Sequence, residues 1–162
     1  MPFSPNNDLV GEKWLAGVPG LSAAMVATTL PRDPAVWTKV QTAQAFVVVT
    51  VVGGDTDLYL PIRRPVYQVD FWATRLGSLN PPWATANLLA ELVREHIEAR
   101  PVAYKRTLTF TDKGDFRPAL VQEAILRTEP RRAITPGPTP TGDEGGYAHY
   151  MADVELQWMV VT

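Results

Sequence analysis

Two histidines, three serines and no cysteine are the chain's stock of nucleophiles and neutral-pH bases. Nucleophilic catalysis holds a Ser, Thr or Cys beside a base that a third group orients. Ser4, Ser22 and Ser78 stand in no Gly-x-Ser-x-Gly elbow. His96 falls on the apolar side of a helical pattern and His149 opens the last strand pattern. An imidazole in either place more often packs on the core with one hydrogen bond than works as a base. Asp55 and Asp57 in GGDTD resemble paired carboxylates that hold a divalent cation. No third ligand is spaced nearby, and Asp beside Gly is what a turn requires. Asp143 and Glu144 in TGDEGG read the same way. Gly53-Gly54 and Gly145-Gly146 lead into strand patterns with no Walker lysine, so neither makes a phosphate cradle. No catalytic, cofactor-binding or metal-ligating residue is assigned, and no cofactor is expected.

The remaining polar signals point to surfaces. Basic pairs occur at Arg63-Arg64, Lys105-Arg106 and Arg131-Arg132, separated from one another and balanced by acids. Nucleic-acid surfaces instead set such charges in stripes with aromatics between them. Solvated loop charge is the plain reading of these pairs, and pairing with carboxylates of a neighbouring protein is the sharper one. Trp72 shares a strand face with Gln68 and Asp70, and an aromatic on a polar face is a candidate protein contact. Arg63, Arg64, Trp72, Arg131, Arg132, Asp143 and Glu144 form the candidate interface set.

The elements that must position these residues centre on residues 64–99. Tyr67, Val69, Phe71 and Ala73 alternate with Gln68 and Asp70, as in a strand with one buried face. After a turn, Leu89, Leu92, Val93, His96 and Ile97 line one side of a helix expected at about 82–99. Tyr67, Val69 and Phe71 are expected to lie under Leu89, Val93 and Ile97. A short helix is expected after Asn7 as N-cap, ending at Gly17 and Pro19. Leu21 to Leu30 reads as strand in preference to helix, and Arg32 to Gln44 as loop with one helical turn. Phe46 to Val52 is apolar on both faces, which places it near the centre of a sheet.

Gly53-Gly54-Asp55 reads as a turn, giving an antiparallel hairpin with an extended tip and a long loop at about 53–64. Alternation predicts further strands over Tyr104 to Phe110, Val121 to Arg127 and Ala152 to Val160. Residues 128–146 carry too many prolines and glycines for a regular element and read as a second long loop. The sum is a single α+β domain over 1–162, with an antiparallel or mixed sheet, one long helix and a short N-terminal helix packed on one face.

Size and composition agree. At 162 residues and 46% hydrophobic, one domain can bury a real core. A formal charge of −2 disfavours nucleic-acid or anionic-membrane binding as the main role. Ala45 to Val52, the longest apolar run, falls well short of the ~20 residues of a membrane helix. Nothing at the start reads as a secretory signal.

The order of features also carries a resemblance: a short N-terminal helix, a Thr29-Leu30-Pro31 corner, a Val-rich strand ending in Gly53-Gly54, the strand RPVYQVDFWA, a covering helix and a closing strand after a tyrosine. It resembles the tail terminator proteins of long-tailed, siphovirus-type bacteriophages, over almost the whole chain. The resemblance implies an α+β protein of the virion tail, made in the host cytoplasm and without catalytic activity. It implies a homo-hexameric ring that caps the head-proximal end of the tail tube and stops its polymerisation. Implied partners are sister copies, the major tail tube protein and a head-completion or connector protein, with DNA crossing the lumen without specific binding. The alternatives are another neck or tube component of such a particle, or a small enzyme or ligand-binding module.

Overall fold

The computed structural model describes residues 2–99, 105–133 and 146–161. The chain runs α1 (Asn7–Ala16), β1 (Val26–Ala27), β2 (Thr38–Val40), β3 (Ala43–Thr56), β4 (Ile62–Thr74), α2 (Trp83–Glu98), β5 (Arg106–Leu108), β6 (Ala119–Arg132) and β7 (Tyr147–Val160). The sheet order is β1-β3-β4-β7-β6-β5, with β2 also on β3. Among the described strands only β1 pairs in parallel; every other neighbour is antiparallel. This is an α+β fold with a mixed sheet and two helices.

Alternation along the strands builds two unlike faces. Ala45, Val47 and Val49 of β3, Tyr67, Val69 and Phe71 of β4, and Ala152, Val154, Leu156 and Trp158 of β7 share one core with Leu89, Val93 and Ile97 of α2 and Val10, Trp14 and Leu15 of α1. The six side chains expected to meet therefore lie in one buried cluster. On the other face Trp37, Phe46 and Val48 form a smaller cluster flanked by Trp72 and Tyr147. That second cluster explains why Phe46 to Val52 is apolar on both sides although β3 is not central. β4 and β7 are the central pair, and β3 has only the short β1 and β2 outside it.

The N-terminal helix starts one residue earlier than expected. Asn6 is extended and its Oδ1 accepts from Leu9 N at 2.8 Å, so it is the N-cap in place of Asn7. Tyr67 joins the helix to the sheet, its hydroxyl donating to the Asn7 carbonyl at 2.7 Å. Burial pushes the pKa of this phenol far above the usual tyrosine range. Arg106, read as loop charge, instead ends the same helix, donating to the carbonyls of Trp14 and of Gly17, the latter at 2.8 Å. Its partial burial lowers the guanidinium's pKa.

Other expectations change with the pairing. Leu21 to Leu30 is a 3₁₀ turn over Ala23–Met25 followed by the two-residue β1, because Ala23, Ala24 and Met25 suit helical geometry as well as extended. Between Arg32 and Gln44 the helical turn, Pro34–Val36, is capped by Asp33, and β2 forms as well. The first long loop shrinks to residues 57–61, because β3 pairs through Gly53 and Gly54 to Thr56. A β-bulge between Val51 and Gly53 and a φ of +127° at Gly54 absorb the irregularity. A side chain at Gly54 would strike the Arg64 carbonyl and Pro65. Likewise β6 continues to Arg132, so Thr128 to Arg132 is strand and not loop. Pro130 is tolerated there because, among the described residues, β5 covers only Ala119 to Val121 and leaves the rest of β6 an edge.

Gly11 gives a direct test of how α1 sits. A Cβ at this position would collide with the Tyr67 ring, which is itself buried and hydrogen-bonded at its hydroxyl. Gly11→Ala gains helix propensity of about 1 kcal/mol but must displace that ring, at a cost of about 1–3 kcal/mol. The expected net is a loss, read as a lower Tm by roughly 2–4 °C per kcal/mol in differential scanning calorimetry. An unchanged or higher Tm means that α1 does not press on Tyr67.

Candidate functional site

The open face of the sheet carries a polar and aromatic ladder. Cross-strand register places Phe46, Trp72 and His149 in one row, with Val48, Asp70 and Met151 in the next and Thr50, Gln68 and Asp153 beyond. His149 reaches diagonally to Asp70, Nε2 to Oδ1 2.7 Å. Its ring stacks on the Trp72 indole with centroids 3.8 Å apart and planes 13° apart. Gln68 Nε2 donates to both oxygens of Asp70 at 3.1 and 3.0 Å. Tyr147 closes the end of the row edge-on to Trp72 and Trp37. Asp70 is thus buried and held by an imidazole and an amide.

A base oriented by a carboxylate is two parts of a nucleophile-activating triad, so the serines matter. Ser4 Oγ accepts from Arg117 and Ser78 Oγ from the Asn80 backbone, while Ser22 precedes the Ala23–Met25 turn. His149 gives one nitrogen to Asp70 and one ring face to Trp72, which fixes the indole on the sheet. His96 lies on α2 beside Trp14, ring centroids 5.6 Å apart. Among the described residues no three His, Cys, Asp or Glu side chains converge as metal ligands. No helix among them is long and apolar enough to cross a membrane.

Strand alternation splits each arginine pair of the candidate interface set. Arg63 turns to the helix side, donating to the Pro5 carbonyl at 3.4 Å and lying 4.9 Å from the Trp158 ring centre. Arg132 lies 4.5 Å from the Trp83 ring centre at the start of α2 and near the Tyr150 hydroxyl. Both are cation–π contacts within the chain. Arg64 is exposed near the hairpin tip. Arg131 donates to Thr128 Oγ1 at 2.7 Å and lies 3.6 Å from Asp153. Trp72 keeps its place on the polar face, half-buried. Asp143 and Glu144 lie outside the described residues.

Sequence reasoning places an extended tip on this hairpin within the segment Gly53 to Arg64, but does not single out the side chains that it presents. Beyond Asp57 the β3–β4 hairpin presents Leu58, Tyr59 and Leu60 at 92%, 93% and 54% exposure. Asp57 Oδ1 accepts from the backbone N–H of Tyr59 at 2.8 Å and of Leu60 at 3.0 Å, and Asp57 N donates to the Ile62 carbonyl at 3.2 Å. These backbone donors hold the Asp57 carboxyl below its ordinary range. The turn is therefore built, and what it builds is a projecting apolar knob. At the other end of β4, Leu76 and Leu79, 56% and 73% exposed, lie on an open concavity of about 460 Å³ together with Thr74, Arg75 and Tyr147. Large exposed side chains clustered in this way mark contact surfaces. The signal in the sequence was three apolar residues between Asp57 and Pro61, in a segment too short to show any period. No protein-family model matches the chain, and no curated protein does so either.

Proposed function

We propose that this chain is a structural component of a long-tailed bacteriophage particle, capping the head-proximal end of the tail tube and presenting a surface to the head-side connector. The reading starts from the order of elements that resembles the tail terminator family. The observation that carries it furthest is the hairpin knob, three exposed apolar side chains on a backbone-locked turn. A surface of that kind serves a protein partner, and a cap works only through protein contacts. The finer expectation of a sheet dominated by one long helix goes with this reading. α2, at 16 residues against 10 for α1, supplies Leu89, Val93 and Ile97 to the core while the open face keeps its polar ladder. In this role Trp72, Arg64 and Arg131 are the contacts offered by the open face, to sister copies, tube protein or connector.

The test is a tube-growth assay with purified major tail tube protein. With the chain present, electron microscopy is expected to show shorter tubes with density at one end only. Tubes of undiminished length with bare ends would defeat the proposal, and a chain that itself polymerises without limit would identify it as a tube component instead.

A further inference from the structure

We propose that His149, Asp70 and Trp72 form a pH-responsive unit on the open face of the sheet, in which a proton taken up by His149 changes the charge beside Trp72. The inference concerns the ladder itself and holds whether or not the chain caps a tail tube.

The geometry leaves one ring nitrogen for the exchange. Asp70, as a carboxylate, only accepts hydrogen bonds, so His149 Nε2 keeps its proton in both states and donates it to Asp70 Oδ1 at 2.7 Å. Nδ1 is therefore the nitrogen that gains or loses a proton, and no hydrogen bond of the ladder has to break. The His149 and Asp70 side chains are 16% and 12% exposed, so solvent protons reach a pair that bulk water screens only in part. Among the described residues, Asp70 meets a formal positive charge only when His149 is protonated. Gln68 supplies neutral N–H donors to both of its oxygens. Uptake thus converts a buried carboxylate held by neutral donors into an ion pair. At the same time the neutral stack on Trp72, with centroids 3.8 Å apart, becomes a cation held flat against the indole.

The surrounding groups leave that change unmasked. On β4 the ring faces Trp72 and Asp70, with Gln68 beyond, and on β3 Phe46 and Val48 lie in the same two rows. Along β7 the neighbours on this face are Tyr147 and Met151. On β6 Ala133 N donates to the His149 carbonyl, while Arg131, opposite Met151, is turned to Asp153 and Thr128. Arg132, opposite Tyr150, lies over Trp83 on the helix side. Among the described residues, Asp70 is therefore the one charged group paired with the ring. An imidazole ordinarily changes charge between about pH 5 and 8, which makes His149 the group to follow on this face.

Intrinsic fluorescence of the purified chain reads the change, because an imidazolium stacked on an indole quenches its emission. The Trp72 contribution is the difference between the wild type and Trp72→Phe. It is expected to fall as pH is lowered from about 8 to about 5. In His149→Gln, whose amide can still donate to Asp70 but takes up no proton, it is expected to stay flat. Asp70→Asn is expected to move the fall to lower pH, since the carboxylate favours the charged ring. The double change Asp143→Asn with Glu144→Gln is expected to leave the transition in place. In the unaltered protein, NMR is expected to show the Trp72 indole N–H and the His149 ring carbons shifting with one midpoint, a readout that no folding defect of a variant can imitate. A flat difference signal, a fall that persists in His149→Gln, or separate NMR midpoints would each overturn the proposal. So would a transition that Asp70→Asn leaves unmoved, or one that disappears with the acids at 143 and 144.

Discussion

Replacing Phe71 with Ala is expected to cost about 3–5 kcal/mol, the usual range for losing a fully buried aromatic from a core. Phe71 is 0% exposed and shares its cluster with Leu89 and Val93 of α2. Its backbone is paired on both sides, to Val47 of β3 and Tyr150 of β7, so the strand cannot shift to fill the space. A cavity that cannot collapse has the larger penalty. Against a whole-domain stability of about 5–15 kcal/mol, this single change removes roughly a fifth or more. Urea unfolding is the measurement, with a lower midpoint and an unchanged slope. A loss below about 1 kcal/mol would show that α2 does not seal this face, since a sealed aromatic cannot be removed so lightly.

Tyr59→Asp is expected to do the opposite: leave the fold untouched and weaken the proposed tube capping. Tyr59 is almost wholly exposed, and substitutions at such positions stay within about 0.5 kcal/mol. Its backbone N–H still donates to Asp57, so the turn keeps its shape. What changes is a large amphipathic contact replaced by a charge that must be desolvated on docking. The expected loss in the proposed tube capping is about 30-fold in the concentration needed, the equivalent of an interface hot spot of 2 kcal/mol or more. Circular dichroism and Tm serve as the control. Capping at the wild-type concentration would show that the tip is not the contact.

The central elements could be read directly because each has a period long enough to show. β4 and β7 alternate over most of their length, and the inward stripe of α2 recurs from Leu89 through Val93 to Ile97. Tyr67, Val69 and Phe71 were therefore assigned to the same core as Leu89, Val93 and Ile97 from spacing alone, and the structure puts them there. Gly53-Gly54 misled because a bulge lets pairing run through residues that ordinarily stop it. β1 has two residues and no period to find. The arginine pairs looked like loop charge because β3, β4 and β6 extend further than their apolar segments; once in a strand, consecutive arginines must point to opposite faces. The Asp70–His149 contact joins residues 79 apart, and only the register of β4 on β7 creates it. Trp72 shares its face with Gln68 and Asp70, as alternation along β4 requires, whereas its stacking partner was not foreseeable without that register.

The position of β4 has a mechanical corollary. A pull on Leu58 or Tyr59 loads β4 lengthwise, and β4 is hydrogen-bonded along its length to β3 on one side and β7 on the other. Tension in that direction acts in shear on many rungs at once, whereas an edge element such as β5, with three paired residues, can be unzipped one rung at a time. The tip is thus anchored where the sheet best resists extension, and force applied there would be borne by the middle of the molecule before its margins give way.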